Sequence, residues 1–195
     1  MTLLNLASVR LQTHSEGPGE RIAVWFQGCK RSCPGCCNPE MQPFTACHIV
    51  PLDALTARFD RQIEEHPEIE GLTLVGGEPL LQPAGAAGLA RWAQSRGKTV
   101  LVFTGFLYEE LRASEDADIQ SLLAHTDLLV DGPFLEGRRD TRRAFIGSEN
   151  PRPYRLTAAY PEGIEYENPN HAMEIRIHGS TIEVNGWPFD SPIPC

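Results

Sequence analysis

The chain predicts an α/β fold, a partial (β/α) barrel of parallel strands with a C-terminal β-hairpin extension. Short apolar, β-prone runs alternate with segments of helical period, an order that calls for a parallel sheet with right-handed crossovers. The runs number four or five, too few to close a barrel of eight strands. After Pro151 the chain turns rich in Pro, Asn and Gly and then alternates strictly, the pattern of a hairpin. We therefore expect a core over residues 1–150, with residues 151–195 packed on the same domain.

In chain order, Leu3 to Leu11 alternates loosely and reads as an edge strand, and Glu16 to Glu20 is a turn by composition. The first parallel strand runs from Arg21 to Gln27, and an irregular segment then reaches Val50. A helix opens at Pro51, which a first turn tolerates, with Leu52, Leu55, Phe59 and Ile63 on one stripe. The next strand is Gly71 to Val75. A second helix spans Gln82 to Arg96, with Leu89, Trp92 and Ala93 buried, although Gly85 and Gly88 weaken it by about 1 kcal/mol each relative to alanine. Thr99 to Phe103 is a strand. A helical stretch broken near Ser114–Asp116 follows, then a strand over Asp127 to Val130, and Arg143 to Ile146 reads as a further strand. In the tail, Glu174–His178 and Thr181–Asn185 pair through Gly179 and Ser180, a two-residue loop that suits a type II′ turn. Ile175, Ile177, Ile182 and Val184 are expected on the buried face.

Chemistry concentrates in Cys29-Lys-Arg-Ser-Cys33-Pro-Gly-Cys36, a loop just past the first parallel strand. Three thiols this close can converge on one metal centre. Structural zinc usually takes four protein ligands, and so does a purely electron-transferring cluster; three cysteines suggest a cubane with one iron open. A zinc knuckle or a redox-active Cys33-Pro-Gly-Cys36 remain alternatives. Cys37 adjoins Cys36 too closely to share the same centre, and Cys47 and Cys195 are read as lone thiols. The six histidines show no HxxxH or HxH spacing. A second motif, Gly76-Gly77-Glu78-Pro79, follows the next strand, and Thr104 and Asp131 follow the two after that. The C-terminal ends of parallel strands share one rim, where ligands bind, so these features are expected together.

Composition bounds the partners. The 195-residue chain carries a formal net charge of −9 at pH 7, which argues against a nucleic-acid or anionic-membrane binder. Arg138, Arg139, Arg142 and Arg143 cluster; a solvated loop is the default reading and a docking patch for an acidic partner the alternative. No apolar run reaches membrane-spanning length. The N-terminus lacks a basic start and a long apolar core, so a cytoplasmic location is expected, which also keeps thiols reduced.

The spacing CxxxCxxC, followed by GGEP, resembles the radical S-adenosylmethionine (radical SAM) superfamily. The stretch from Gly17 to Cys29, Asn38-Pro-Glu40 and Gly71 to Gln82 look like the activating enzymes of glycyl radical enzymes. Thr126 to Phe134 and Gly147-Ser-Glu-Asn150 are similar to the anaerobic ribonucleotide reductase activating proteins. The resemblance implies a [4Fe-4S] cluster on Cys29, Cys33 and Cys36. It also implies SAM chelated to the open iron, and reductive cleavage to a 5′-deoxyadenosyl radical that removes a hydrogen atom. It places Gly76, Gly77, Glu78 and Pro79 at the SAM amino group. Thr104 is a candidate for the ribose or methionine carboxylate, and Asp131 for ordering the rim, binding SAM or holding a cation; loop capping is the alternative for both. Asn150 is a candidate for the adenine. A glycyl radical enzyme is the expected partner, with flavodoxin or ferredoxin as reductant. Three features depart from the pattern: Gly35 replaces an aromatic residue, Pro151 replaces Gln, and the hairpin is additional. The last two put the partner, though not the chemistry, in question and favour a competing reading, a radical SAM enzyme acting on a small molecule or peptide; a non-catalytic zinc or electron-transfer module is the third reading.

Overall fold

A computed structural model describes residues 1–167, 173–179 and 181–186. Its strands and helices are β1 (Leu3–Thr13), β2 (Arg21–Phe26), β3 (His48–Pro51), α1 (Leu52–Glu65), β4 (Gly71–Gly76), α2 (Pro83–Ser95), β5 (Thr99–Phe103), α3 (Tyr108–Arg112), α4 (Ala117–Ala124), β6 (Leu128–Asp131), β7 (Arg152–Arg155), β8 (Met173–His178) and β9 (Thr181–Gly186). The main sheet has seven strands in the order β3-β1-β2-β4-β5-β6-β7. Within it β2, β4, β5 and β6 pair in parallel, while β1, β3 and β7 add antiparallel flanks. The fold is thus mixed α/β around a mostly parallel sheet. Every residue of β2 is buried, as a strand covered on both faces requires.

The two faces differ. Val24, Phe26, Leu72, Leu74, Val100 and Val102 pack with Leu55, Phe59, Leu89 and Trp92 of the helices in the larger core. Leu101, Leu128 and Val130 pack instead with Ile146, Tyr160 and Ile164 from the later chain. The glycines of α2 have a packing reason. A Cβ on Gly85 would lie 2.2 Å from Leu4 Cδ2, and one on Gly88 would lie 2.4 Å from Leu52 Cδ2. Their propensity cost is accepted so that α2 can sit close to β1 at Gly85 and to the start of α1 at Gly88.

One irregularity in β1 builds the site. Leu6 pairs with Phe26, but the register then shifts and Ser8 pairs with Trp25, Arg10 with Ala23. Cross-strand partners share a face. The shift therefore moves the even-numbered residues of β1 from the helix side, where Leu4 and Leu6 are buried, to the opposite face.

Four expectations need correction. Leu3–Leu11 is not an edge strand: β1 lies between β3 and β2, and the edge is β3, inside the segment read as irregular. Four residues with His48 and Ile49 exposed leave no alternation to read. Arg143–Ile146 is not a strand: Phe145 has φ +49° and Arg143 folds inward. The added strand is β7, whose Pro153 suits an edge. Finally, Ile175, Ile177, Ile182 and Val184 are exposed rather than buried. The hairpin turns its polar face inward because the body it meets is polar. Glu174 accepts hydrogen bonds from Thr13 Oγ1 (2.7 Å) and His14 N (2.8 Å), and Asn185 Nδ2 donates to Ser15 Oγ (2.7 Å). Gly179 has the positive φ, 61°, that a mirror-image turn needs at its first position. Ser180, His171 and Cys195 lie outside the described residues.

Candidate functional site

The cysteine loop starts where β2 ends and is anchored by its own backbone. Gly28 N–H donates to Met41 O (2.8 Å) and Cys29 N–H to Gln42 O (2.9 Å), so the chain leaves and re-enters at one point. Gln27 Nε2 donates to Pro43 O (2.7 Å). The loop from β4 to α2 lies directly against this anchor: a Cβ on Gly77 would stand 2.5 Å from Gly28 O and 2.7 Å from Met41 O. Gln82, just after GGEP, ties the same point to β1, since its Nε2 donates to Asn5 O (2.8 Å) and Gln27 O (3.2 Å).

These loops border a cavity of about 840 Å³. Cys29, Cys33, Cys36, Gly76, Gly77, Glu78 and Thr104 all line it. Its floor is the sheet face opposite the helices, including Trp25, Val75, Phe103 and Val130, and one flank is made by Met173 and Gly186 of the hairpin. The three thiols are half-buried. Two sulfurs accept backbone N–H groups, Cys29 Sγ from Arg31 and Cys36 Sγ from Asn38, each at 3.4 Å. Among the described residues no three His, Cys, Asp or Glu side chains gather tightly enough to hold a single metal ion. A cube-shaped cluster spreads its ligands farther apart than a single ion does. Three cavity-facing thiols in a loop with inward N–H groups suit such a cluster.

Glu78 is buried. Its Oε1 accepts Leu80 N–H (3.0 Å) and Thr104 Oγ1–H (2.9 Å), and its Oε2 accepts Gly105 N–H (2.8 Å). Burial pushes its pKa up, against the pull of these hydrogen bonds and of the Arg31 charge. Pro79, Asp131 and Asn150 are not among the cavity's lining residues. The buried Asp131 carboxylate accepts Tyr108 N–H (2.8 Å) at the start of α3 and Arg152 Nη2–H (2.7 Å). Asn150 Nδ2 donates to Pro133 O, and its Oδ1 accepts Ser148 Oγ–H (2.9 Å). Asn150 thus fastens the Gly147–Asn150 loop to the rim.

Three residues of the site escaped the sequence. Arg31 stacks its guanidinium 4.5 Å from the Phe106 ring centroid and reaches Glu110 Oε2 at 3.3 Å, latching the cysteine loop to α3. Arg10 lines the cavity only because of the β1 register shift, which no period reveals. Glu16, read as a turn residue, faces the same cavity and accepts Gly186 N–H (3.0 Å) from the hairpin. Burial pushes its carboxyl up to about 7. With the folded pKa raised above the unfolded value of 4.5, the native state holds the proton more tightly. Stability is therefore full below pH 4.5 and falls as pH rises to 7, by on the order of 2–3 kcal/mol. Glu16→Gln is expected to flatten this part of the pH–Tm curve; an unchanged slope would show that Glu16 titrates normally.

Comparison with known proteins agrees with this arrangement. A family model described as a 4Fe-4S single cluster domain matches residues 15–153. The anaerobic ribonucleoside-triphosphate reductase-activating protein of Pasteurella multocida is 31% identical over 148 residues, covering 72% of this chain and 90% of that protein. The protein of the same name from Escherichia coli K12 is 30% identical over 147 residues (69% and 87%), and that of Enterobacteria phage T4 is 26% identical over 140 (70% and 84%). No helix among the described residues is long and apolar enough to cross a membrane. From the matched cysteine domain and the near-complete coverage of these relatives, the chain belongs to the 4Fe-4S single cluster family and, within it, to the anaerobic ribonucleoside-triphosphate reductase-activating proteins.

Proposed function

We propose that this chain is a cytoplasmic radical SAM activase that places a glycyl radical on a partner enzyme of the anaerobic ribonucleotide reductase kind. The observation that carries the reading is the seating of Gly77 against Gly28 and Met41, which brings the cysteine loop and GGEP to one cavity. The sheet would act as a partial (β/α) barrel, with residues 1–150 its core and 151–195 an extension, of which the β8–β9 hairpin borders one side of the cavity.

When bound, a [4Fe-4S] cluster supplies the electron that splits SAM into methionine and a 5′-deoxyadenosyl radical. The chain's own residues hold and screen. Cys29, Cys33 and Cys36, as thiolates, would ligate three irons. Gly76 and Gly77 give the backbone close approach, and Glu78, fixed by its hydrogen bonds, offers its charge to the SAM amino group. Thr104 holds Glu78 in one pose, while Asp131 and Asn150 brace the rim that the adenosine would meet. Trp25, Val75, Phe103 and Val130 keep the floor apolar and would screen the bound group from water.

Anaerobic reconstitution with iron and sulfide, followed by dithionite and SAM, is expected to yield 5′-deoxyadenosine, and Cys33→Ala to abolish it. A loaded cluster whose EPR spectrum does not respond to SAM would overturn the reading. With the reductase partner added, a glycyl radical signal is expected. The hairpin wall favours a smaller substrate as the competing reading, and SAM cleavage without a glycyl radical would decide for it.

A further inference from the structure

The chain is strongly acidic, with a net charge of −9, yet the ground beside the cysteine loop is basic. Lys30 and Arg31 lie within the loop, and no acid occurs from Gly28 to Pro39. The chain from Glu136 to Arg142 runs against its outer edge. A Cβ on Gly35 would meet Glu136 Cδ at 2.6 Å, and the Arg139 charge acts on the Cys37 thiol. This second segment carries Arg138, Arg139 and Arg142 against Glu136 and Asp140, and Asp140 is buried and already bonded to Arg143. Arg138 and Arg142 have side chains 58% and 76% exposed, and Lys30 is exposed too. Their ion pairs hold them loosely. Arg138 Nε is 3.1 Å from exposed Glu149, a surface pair worth about 0–1 kcal/mol. Arg142 stands 3.7 Å from an Asp140 that is already bonded to Arg143 at 2.6 Å. Arg143 is different: it is buried and donates to Ser148 O and Pro151 O. Arg138, Arg139 and Arg142 are exposed, and Arg143 holds the loop in shape. On the same edge Pro34, Gly35 and Cys37 are exposed, so the cysteine loop comes to the surface within the basic ground.

Resting on the functional reading above, we propose that this strip, Arg138, Arg139 and Arg142 beside the exposed Pro34–Cys37 edge, is the docking surface for an acidic protein that carries one electron. Charge complementarity against an otherwise acidic surface would steer and orient such a carrier. The exposed Pro34–Cys37 edge would then bring its redox centre nearest the cluster. One electron passes from the reduced carrier to the oxidised cluster; no bond forms or breaks, and the carrier leaves oxidised by one electron. The partner that receives the radical uses the cavity mouth instead, so the two need not compete.

The test uses the full chain with its cluster reconstituted. A reduced flavodoxin is the carrier probe, photoreduced deazaflavin the small reductant, and cluster reduction is followed by absorbance and EPR in stopped flow. Arg138→Glu with Arg142→Glu is expected to slow reduction by flavodoxin about tenfold or more at low salt and to flatten its dependence on ionic strength, within the range that steering supplies. The deazaflavin rate should stay unchanged, and the double alanine variant should fall between. Unchanged flavodoxin kinetics in the charge-reversed protein would overturn the proposal. So would equal slowing of both reductants, or a loss of glycyl radical formation with flavodoxin reduction intact, which would give the strip to the radical acceptor. A chain that assembles no reducible cluster would fail before any carrier is added and would overturn the functional reading itself.

Discussion

Alanine at position 77 is expected to remove SAM cleavage and to weaken the fold. The added methyl has nowhere to go. It would stand 2.5 Å from Gly28 O, 2.7 Å from Met41 O and 3.0 Å from Gly28 C. All three are backbone atoms, and both oxygens belong to the anchor of the cysteine loop, where Met41 O already accepts the Gly28 N–H. A side chain in the way could rotate; a hydrogen-bonded backbone must translate. Overpacking costs about 1–3 kcal/mol and occasionally more, and the rigid neighbours put this case at the upper end. The displacement would fall on Cys29 and on Glu78, the residues on either side of the contact. We expect 5′-deoxyadenosine yield to drop by at least about tenfold, the equivalent of 1.4 kcal/mol, with a lower Tm. Gly76 would fare no better, because a Cβ there meets Phe26 N at 2.6 Å and its φ is +102°. Gly137 is the control: nothing lies within 4 Å of its Cβ position, and alanine there should be neutral. Normal cluster loading and stability in Gly77→Ala would remove the observation on which the functional reading rests.

The rim was legible in the sequence because its determinants are local. β2, β4, β5 and β6 are short runs of Ile, Val, Leu and Phe that need no context to read as buried parallel strands. The residues that follow them must then share an edge by topology alone, and Cys29, Gly77 and Thr104 do line one cavity. What could not be read depends on tertiary partners. Arg-Pro-Tyr-Arg carries no alternation, yet β7 pairs with β6 from Leu128 to Asp131, and Asp131 answers Arg152 at 2.7 Å across that pairing. The hairpin's alternation was clear, but alternation does not say which face turns inward. The Thr13 hydroxyl, which donates to Glu174, and the Ser15 hydroxyl, which accepts from Asn185, drew the polar face inward, leaving the isoleucines outside. Charged residues misled most. Glu16 falls in a stretch that composition assigns to a turn and Arg143 in an arginine run read by default as a solvated loop, yet both are turned inward, and Arg21, read only as the start of a strand, is fully buried.

Arg21 makes the second large prediction. It opens β2 and so lies at the end of the sheet opposite the cysteine loop. It is fully buried, and burial pulls its pKa down. Among the described residues no carboxylate pairs with it; neutral groups satisfy it instead. Nε donates to Thr73 Oγ1 (2.7 Å), Nη1 to Tyr160 OH (2.8 Å) and Pro18 O (3.1 Å), and Nη2 to Leu72 O (2.8 Å) and Thr99 O (3.3 Å). One side chain thus bonds β4, β5, the Pro18 turn and the segment bearing Tyr160. Only a planar fork with several donors can serve so many acceptors at once. Methionine would match its bulk and relieve the buried charge, but would leave Leu72 O and Tyr160 OH without their donor, at about 1–3 kcal/mol for each unsatisfied group. Relief of the charge offsets part of this, as when a buried ion pair is replaced by apolar groups. It does not offset all of it, because here the acceptors stay behind. We expect Arg21→Met to lose about 3–5 kcal/mol in urea denaturation, a large share of the about 5–15 kcal/mol that holds a typical domain. Arg21→Lys should lose less, since its ammonium can still serve some of the acceptors. Because the residue sits at the far end of the strands, cluster content per folded chain should not change. A methionine variant within about 1 kcal/mol of the parent would mean that water satisfies these acceptors as well as the guanidinium does.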